Sequence, residues 1–87
     1  MQTMESNLNI KDEFTVSELG GILKDKYHTA SKGEAVAMIH LFGITYAEHI
    51  KATGASMRAL IQAAGIPKSY ATEISKGVKL ANFVSIK

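Results

Sequence analysis

The chain contains no cysteine, no tryptophan and a single proline, Pro67, in 87 residues. Without cysteine there is neither a disulfide framework nor a cysteine-based zinc site to reinforce a small fold. Aromatic residues make up only 7% of the sequence. Long apolar runs are also missing. The most apolar stretch, Ala35 to Ala47, is interrupted by His40, Gly43 and Thr45, and it falls well short of the ~20 residues that span a bilayer. Met1 to Glu13 is polar, with Glu5, Asp12 and Glu13 against Lys11. It has neither the basic start nor the apolar stretch of a secretory signal. These absences predict a soluble, cytoplasmic protein with no membrane association.

The signatures of catalysis are equally sparse. His28, His40 and His49 are the only histidines, and none has a second ligand at the i+4 spacing of a helical metal site. His40 and His49 read as core or interface residues. His28 reads as a cation suited to the C-terminal end of a helix. Ser17, Ser31, Ser56, Ser69, Ser75 and Ser85 are scattered, and none sits in a nucleophile elbow. Gly20-Gly21 follows no strand and has no correctly spaced lysine, so it is not a phosphate loop. The expectation is a non-enzyme with no metal, no cofactor and no small-molecule ligand.

What the sequence does contain is a succession of short helical signals, without internal repeats. Residues 1–13 carry no helical period and read as a flexible arm, although the alternation of Leu8 and Ile10 also fits a short strand. Residues 14–87 read as one domain. Thr15-Val16-Ser17-Glu18 is a capping box, followed by Val16, Leu19, Ile22, Leu23 and Tyr27 on one helical face. Gly20 and Gly21 weaken that helix, and a close helix contact or a kink accounts for them. A second helix is expected from Glu34 to Phe42. It is apolar almost all round, which predicts the central, most buried element, with Gly43 as its stop. Thr45-Tyr46-Ala47-Glu48 is a second capping box, opening a third helix to Thr53 with Gly54 as its end. Ser56 caps a fourth, whose Met57, Leu60, Ile61 and Ala64 form an amphipathic stripe up to Gly65. A fifth helix starts at Pro67 and runs to Lys76, with Gly77 as its stop. The tail from Val78 reads as a turn and a short extended segment, paired with the N-terminal arm or with a second subunit. The fold class expected is all-α: a compact bundle of about five short helices.

The segment Ser56 to Gly77 holds the functional signal. Gly65 supplies a tight turn, Ile66 plugs the space behind it, and Ala63, Ala64 and Ala71 are small enough for two helices to cross. Ala71 and Ile74 form a narrow apolar stripe. Lys68, Ser69, Thr72, Glu73 and Lys76 lie on the opposite, wholly polar side. This arrangement resembles the helix-turn-helix of repressor and Cro-type regulators. The chain as a whole, including Ile39-His40-Leu41-Phe42-Gly43, resembles small bacterial helix-turn-helix-like proteins. One residue departs from the pattern: Ile61 stands four positions before Gly65, where alanine is usual, so either the crossing changes or Ala71 makes room.

The resemblance implies that the polar side enters the major groove of double-stranded DNA. Lys68, Ser69, Thr72 and Glu73 are then the base-contacting candidates, lysine donating to guanine and Glu73 accepting from cytosine. Ser56, Arg58, Tyr70, Lys76 and Lys79 are the candidates for backbone contacts. Charge points the same way. Net charge is +2 overall, but residues 53–87 carry +4, five cations against Glu73 alone, and clustered basic charge attracts polyanions. The expected role is a sequence-specific DNA-binding transcription regulator, or a phage or mobile-element accessory factor. It is expected to act as a homodimer, which would also bury surplus apolar surface of the second helix. The alternative is a helix-turn-helix-like module that binds another protein and not DNA.

Overall fold

The computed structural model describes residues 13–86. They form five α-helices: α1 (Val16–Thr29), α2 (Ala35–Thr45), α3 (Ala47–Thr53), α4 (Met57–Ala64) and α5 (Ala71–Leu80), with a 3-10 turn at Lys68–Tyr70 leading into α5. The fold is all-α, with no strand among the described residues. It is built on two helix pairs. α1 packs chiefly on α4, and α2 chiefly on α5. Between them lies one core of Leu19, Leu23, Ile39, Phe42, Ile50, Leu60, Ile61, Ala64, Ile66 and Ile74.

Helix starts follow local hydrogen bonding where a short polar side chain is free to supply it. The Thr15 box forms in both directions: the Glu18 amide donates to Thr15 Oγ1 at 3.0 Å, and the Thr15 amide donates to Glu18 Oε1 at 2.9 Å. Ser56 Oγ accepts from the Ala59 amide at 3.1 Å and opens α4. The second capping box does not form. Thr45 is the last residue of α2, and Tyr46 ends α2 and begins α3 at once. Its amide donates to Phe42 O and its carbonyl accepts from the Ile50 amide, so the junction satisfies the backbone without a threonine cap. Phe14 and His49 flank the Tyr46 ring here, Phe14 meeting His49 edge-on at 4.8 Å.

Four glycines anticipated as stops behave in two ways, and Gly65 ends α4 as expected. Gly54 does end α3, in the left-handed conformation. Gly43 and Gly77 end nothing: α2 runs on to Thr45 and α5 to Leu80. Both are buried where α2 and α5 touch. A Cβ on Gly77 would lie 2.5 Å from the His40 carbonyl oxygen, and one on Gly43 would lie 2.8 Å from the Ile74 carbonyl oxygen. Close backbone packing repays a glycine penalty of ~1 kcal/mol each. Gly20 makes the helix contact anticipated for it, since its Cβ would meet the Ala63 Cβ at 2.5 Å, whereas Gly21 faces open space.

Other expectations change with the packing. α2 is not buried all round: Ile39 and Phe42 are inside, but Val36 and Leu41 are each 42% exposed. The fifth helix begins as a 3-10 turn after Pro67. The tail forms no extended pair within the described residues. Val78 is helical, and Ala81, Asn82 and Phe83 make a turn whose amides bond back to α5 and its last residue. The anticipated arm, residues 1–13, lies outside the described residues except for Glu13. No helix among the described residues is long and apolar enough to cross a membrane.

Candidate nucleic-acid interface

The unit formed by α4, the turn and α5 is positioned by its buried side. Leu60, Ile61 and Ala64 anchor α4, Ile66 plugs the turn, and Ile74 and Gly77 anchor α5. Gly65 makes the reversal at φ +69° and ψ +30°, a conformation costing a residue with a Cβ about 1–2 kcal/mol. Its amide donates to Ile61 O at 2.9 Å. Ile61, the departure from the usual pattern, is 3% exposed and borders one shallow depression with Ala71, Arg58 and Lys68. The half-buried Ala71 is therefore the small residue beside it. Ala63 is not at this crossing; it packs against Gly20 of α1.

The outward side of α5 carries Thr72, Ser75, Lys76 and Lys79. These positions, i, i+3, i+4 and i+7, make one helical face. Lys68 and Ser69 are exposed on the 3-10 turn just before it. Arg58, exposed on the first turn of α4, borders the same depression as Lys68. Lys76 and Lys79 flank an apolar groove formed with His40, Leu80 and Phe83. Among the described residues, Arg58, Lys68 and Lys79 make no ion pair. Ser56 is exposed, but its hydroxyl already caps α4. Ser75 joins the outward stripe in addition to the residues expected there. The i+3 spacing from Thr72 is the signal that identifies it.

Two residues assigned to this surface have partners within the protein. Tyr70 meets Tyr27 of α1 edge-on, with ring centroids 5.4 Å apart. Repulsion from Tyr27, then hydrogen bonding with it, raises the Tyr70 hydroxyl above its usual pKa. Glu73 turns toward α2, where its Oε1 lies 2.6 Å from His40 Nε2. A carboxylate only accepts, so Nε2 carries the hydrogen. Oε2 lies 3.6 Å from Lys76 Nζ. The His40 hydrogen bond, with smaller help from Lys76, holds the Glu73 carboxyl below its ordinary value despite partial burial.

This shift has a definite consequence for stability. A carboxyl with a depressed folded pKa contributes stability above its unfolded pKa and loses it as pH falls through the folded one. Wild-type protein should lose stability as pH drops below the ordinary carboxylate range. Glu73→Gln keeps an acceptor for His40 and removes the titration, so its stability should fall less over the same interval. Melting temperatures of both proteins from neutral to acid pH check this; parallel curves would contradict it.

The core, the Gly65 turn and the paired helices after Ser56 define a helix-turn-helix domain. The sequence model of the HTH-like domain family matches residues 15–87, and the chain belongs to that family. No curated protein and no solved structure matches it.

Proposed function

We propose that this protein is a sequence-specific DNA-binding regulator of the repressor and Cro type, which lays the Lys68–Tyr70 turn and α5 in the major groove. The observation that carries this reading is the division of α5 into two sides. Ile74 and Gly77 are buried, while Thr72, Ser75, Lys76 and Lys79 face outward, continuous with Lys68 and Ser69. A helix in the major groove needs one side held by its own domain and the other furnished with donors and hydroxyls. Lys68, Ser69 and Thr72 are nearest the start of the helix and are assigned to base edges; Glu73, although next to Thr72, is turned toward His40. Ser56, Arg58, Tyr70, Lys76 and Lys79 are assigned to phosphates. The protein acts in transcription, or beside a phage or mobile-element enzyme, as a homodimer on two half-sites roughly one helical turn apart. Light scattering of the free and DNA-bound protein reports the subunit count.

The salt dependence of duplex binding tests the assignment. Each phosphate-contacting lysine contributes about 0.9 to the slope of log affinity against log salt. Lys76→Ala and Lys79→Ala should therefore each flatten the slope by about one, weakening all sequences alike. Lys68→Ala should instead lower discrimination at one base pair. If neither backbone variant changes the slope, these lysines do not contact phosphate. The competing reading, a module that binds only protein, predicts no salt-dependent retention of DNA at all.

A further inference from the structure

We propose that His40, on α2 and outside the helix-turn-helix, determines which bases this protein prefers by holding the Glu73 carboxylate off the reading side of α5. The inference rests on the DNA-binding reading above and names a determinant that the reading does not contain. Glu73 follows Thr72 directly and precedes Ser75 and Lys76. It is the only acidic residue in α5 and the only one from residue 53 onward. Turned outward, it would set an acceptor beside the base edges, suited to the amino group of cytosine and repelled by phosphate. In the folded protein both of its oxygens are engaged: Oε1 by His40 Nε2 at 2.6 Å and Oε2 by Lys76 Nζ at 3.6 Å. The Glu73 side chain is only 23% exposed.

The backbone explains why this grip is firm. His40 stands one turn before Gly43, and Glu73 one turn before Gly77. Those two glycines let α2 and α5 approach until their main chains touch. At that separation an imidazole spans the gap to a carboxylate on the neighbouring helix directly. The outward side is left with lysines and hydroxyls, Lys68, Ser69, Thr72, Ser75 and Lys76. Lysine donates to guanine O6 and N7, and hydroxyls accept or donate. The unmodified protein therefore favours guanine opposite Lys68, on the turn that leads into α5, and presents no carboxylate to cytosine N4 there. Removing His40 frees Oε1, and the carboxylate becomes a base-reading group.

Binding-site selection from a randomised duplex pool, run in parallel on four full-length proteins, tests this. Wild type and His40→Gln, whose amide still donates to Glu73, should select the same sequences. His40→Ala should gain a preference for cytosine at one position of each half-site, about tenfold over wild type there. In the double variant His40→Ala/Glu73→Gln that preference should disappear. A purely structural role for His40 lowers affinity for every sequence and leaves the selected sequence unchanged, with the double variant no better. That outcome overturns the proposal while leaving the DNA-binding reading intact. If wild type itself enriches no sequence, the reading and the proposal fall together. Melting curves confirm that each variant compared is folded at the assay temperature.

Discussion

Gly77→Ala is expected to lower the melting temperature by about 8–16 °C, although alanine is the better helix former. A Cβ at this position would lie 2.5 Å from the His40 carbonyl oxygen and 3.0 Å from the Gly43 Cα. Both are backbone atoms of a packed helix, so no flexible side chain can swing aside. Overpacking typically costs 1–3 kcal/mol, and a backbone contact this close belongs near ~3. Alanine regains ~1 kcal/mol of helix propensity. The net loss of about 2 kcal/mol corresponds to 4–8 °C per kcal/mol in a domain of this size. The same substitution at Gly21 provides the contrast. That glycine is also inside a helix but has nothing within 4 Å of its would-be Cβ, so Gly21→Ala should raise stability by about 0.5–1 kcal/mol. Thermal melts followed by circular dichroism measure both. Equal shifts in one direction would show that α2 and α5 do not touch at their glycines.

Phe42→Ala should be more damaging still. Phe42 is 1% exposed and is the largest of the fully buried side chains. Its ring also packs on Tyr46 at 5.2 Å, beneath the junction of α2 and α3. Truncating a buried phenylalanine costs about 3–5 kcal/mol in lost burial and residual cavity. At 0.05–0.15 kcal/mol per residue, a chain of this length has only about 4–13 kcal/mol in all. The variant should unfold at far lower urea, and a large unfolded fraction in its absence is within range. Phe83→Ala is the control. Phe83 is 81% exposed, so its removal should leave the unfolding free energy from urea titration within about 0.5 kcal/mol of wild type. Comparable losses from the two substitutions would mean that the core is misassigned.

These two variants also mark where sequence reading ends. Thr15, Ser56, Gly54 and Gly65 are legible because their effects are local: a hydroxyl reaches an amide three residues away, and a left-handed residue ends a helix within one turn. Gly43 and Gly77 present the same residue type in similar contexts. Their meaning depends on each other across 34 positions of sequence, so nothing local separates a stop from a contact. Thr45-Tyr46-Ala47-Glu48 matches a capping box letter by letter, yet Tyr46 already serves both helices through its backbone. The polar side of α5 was half legible. Lys68, Ser69, Thr72 and Lys76 do face outward, but Glu73 belongs to the contact with His40, and Ser75 takes its place in the stripe. The sequence marks Glu73 as polar. Only the approach of α2 shows what satisfies it.

DNA reading by this helix-turn-helix is the proposal on which the site assignments depend. Its most direct test is retention of a randomised duplex pool by the wild-type protein at low and at moderate salt, with the retained pool sequenced. Retention should fall steeply as salt rises, with enrichment of a guanine-containing motif repeated in two half-sites for a dimer. Retention that is negligible or insensitive to salt, with no sequence enriched, would contradict it.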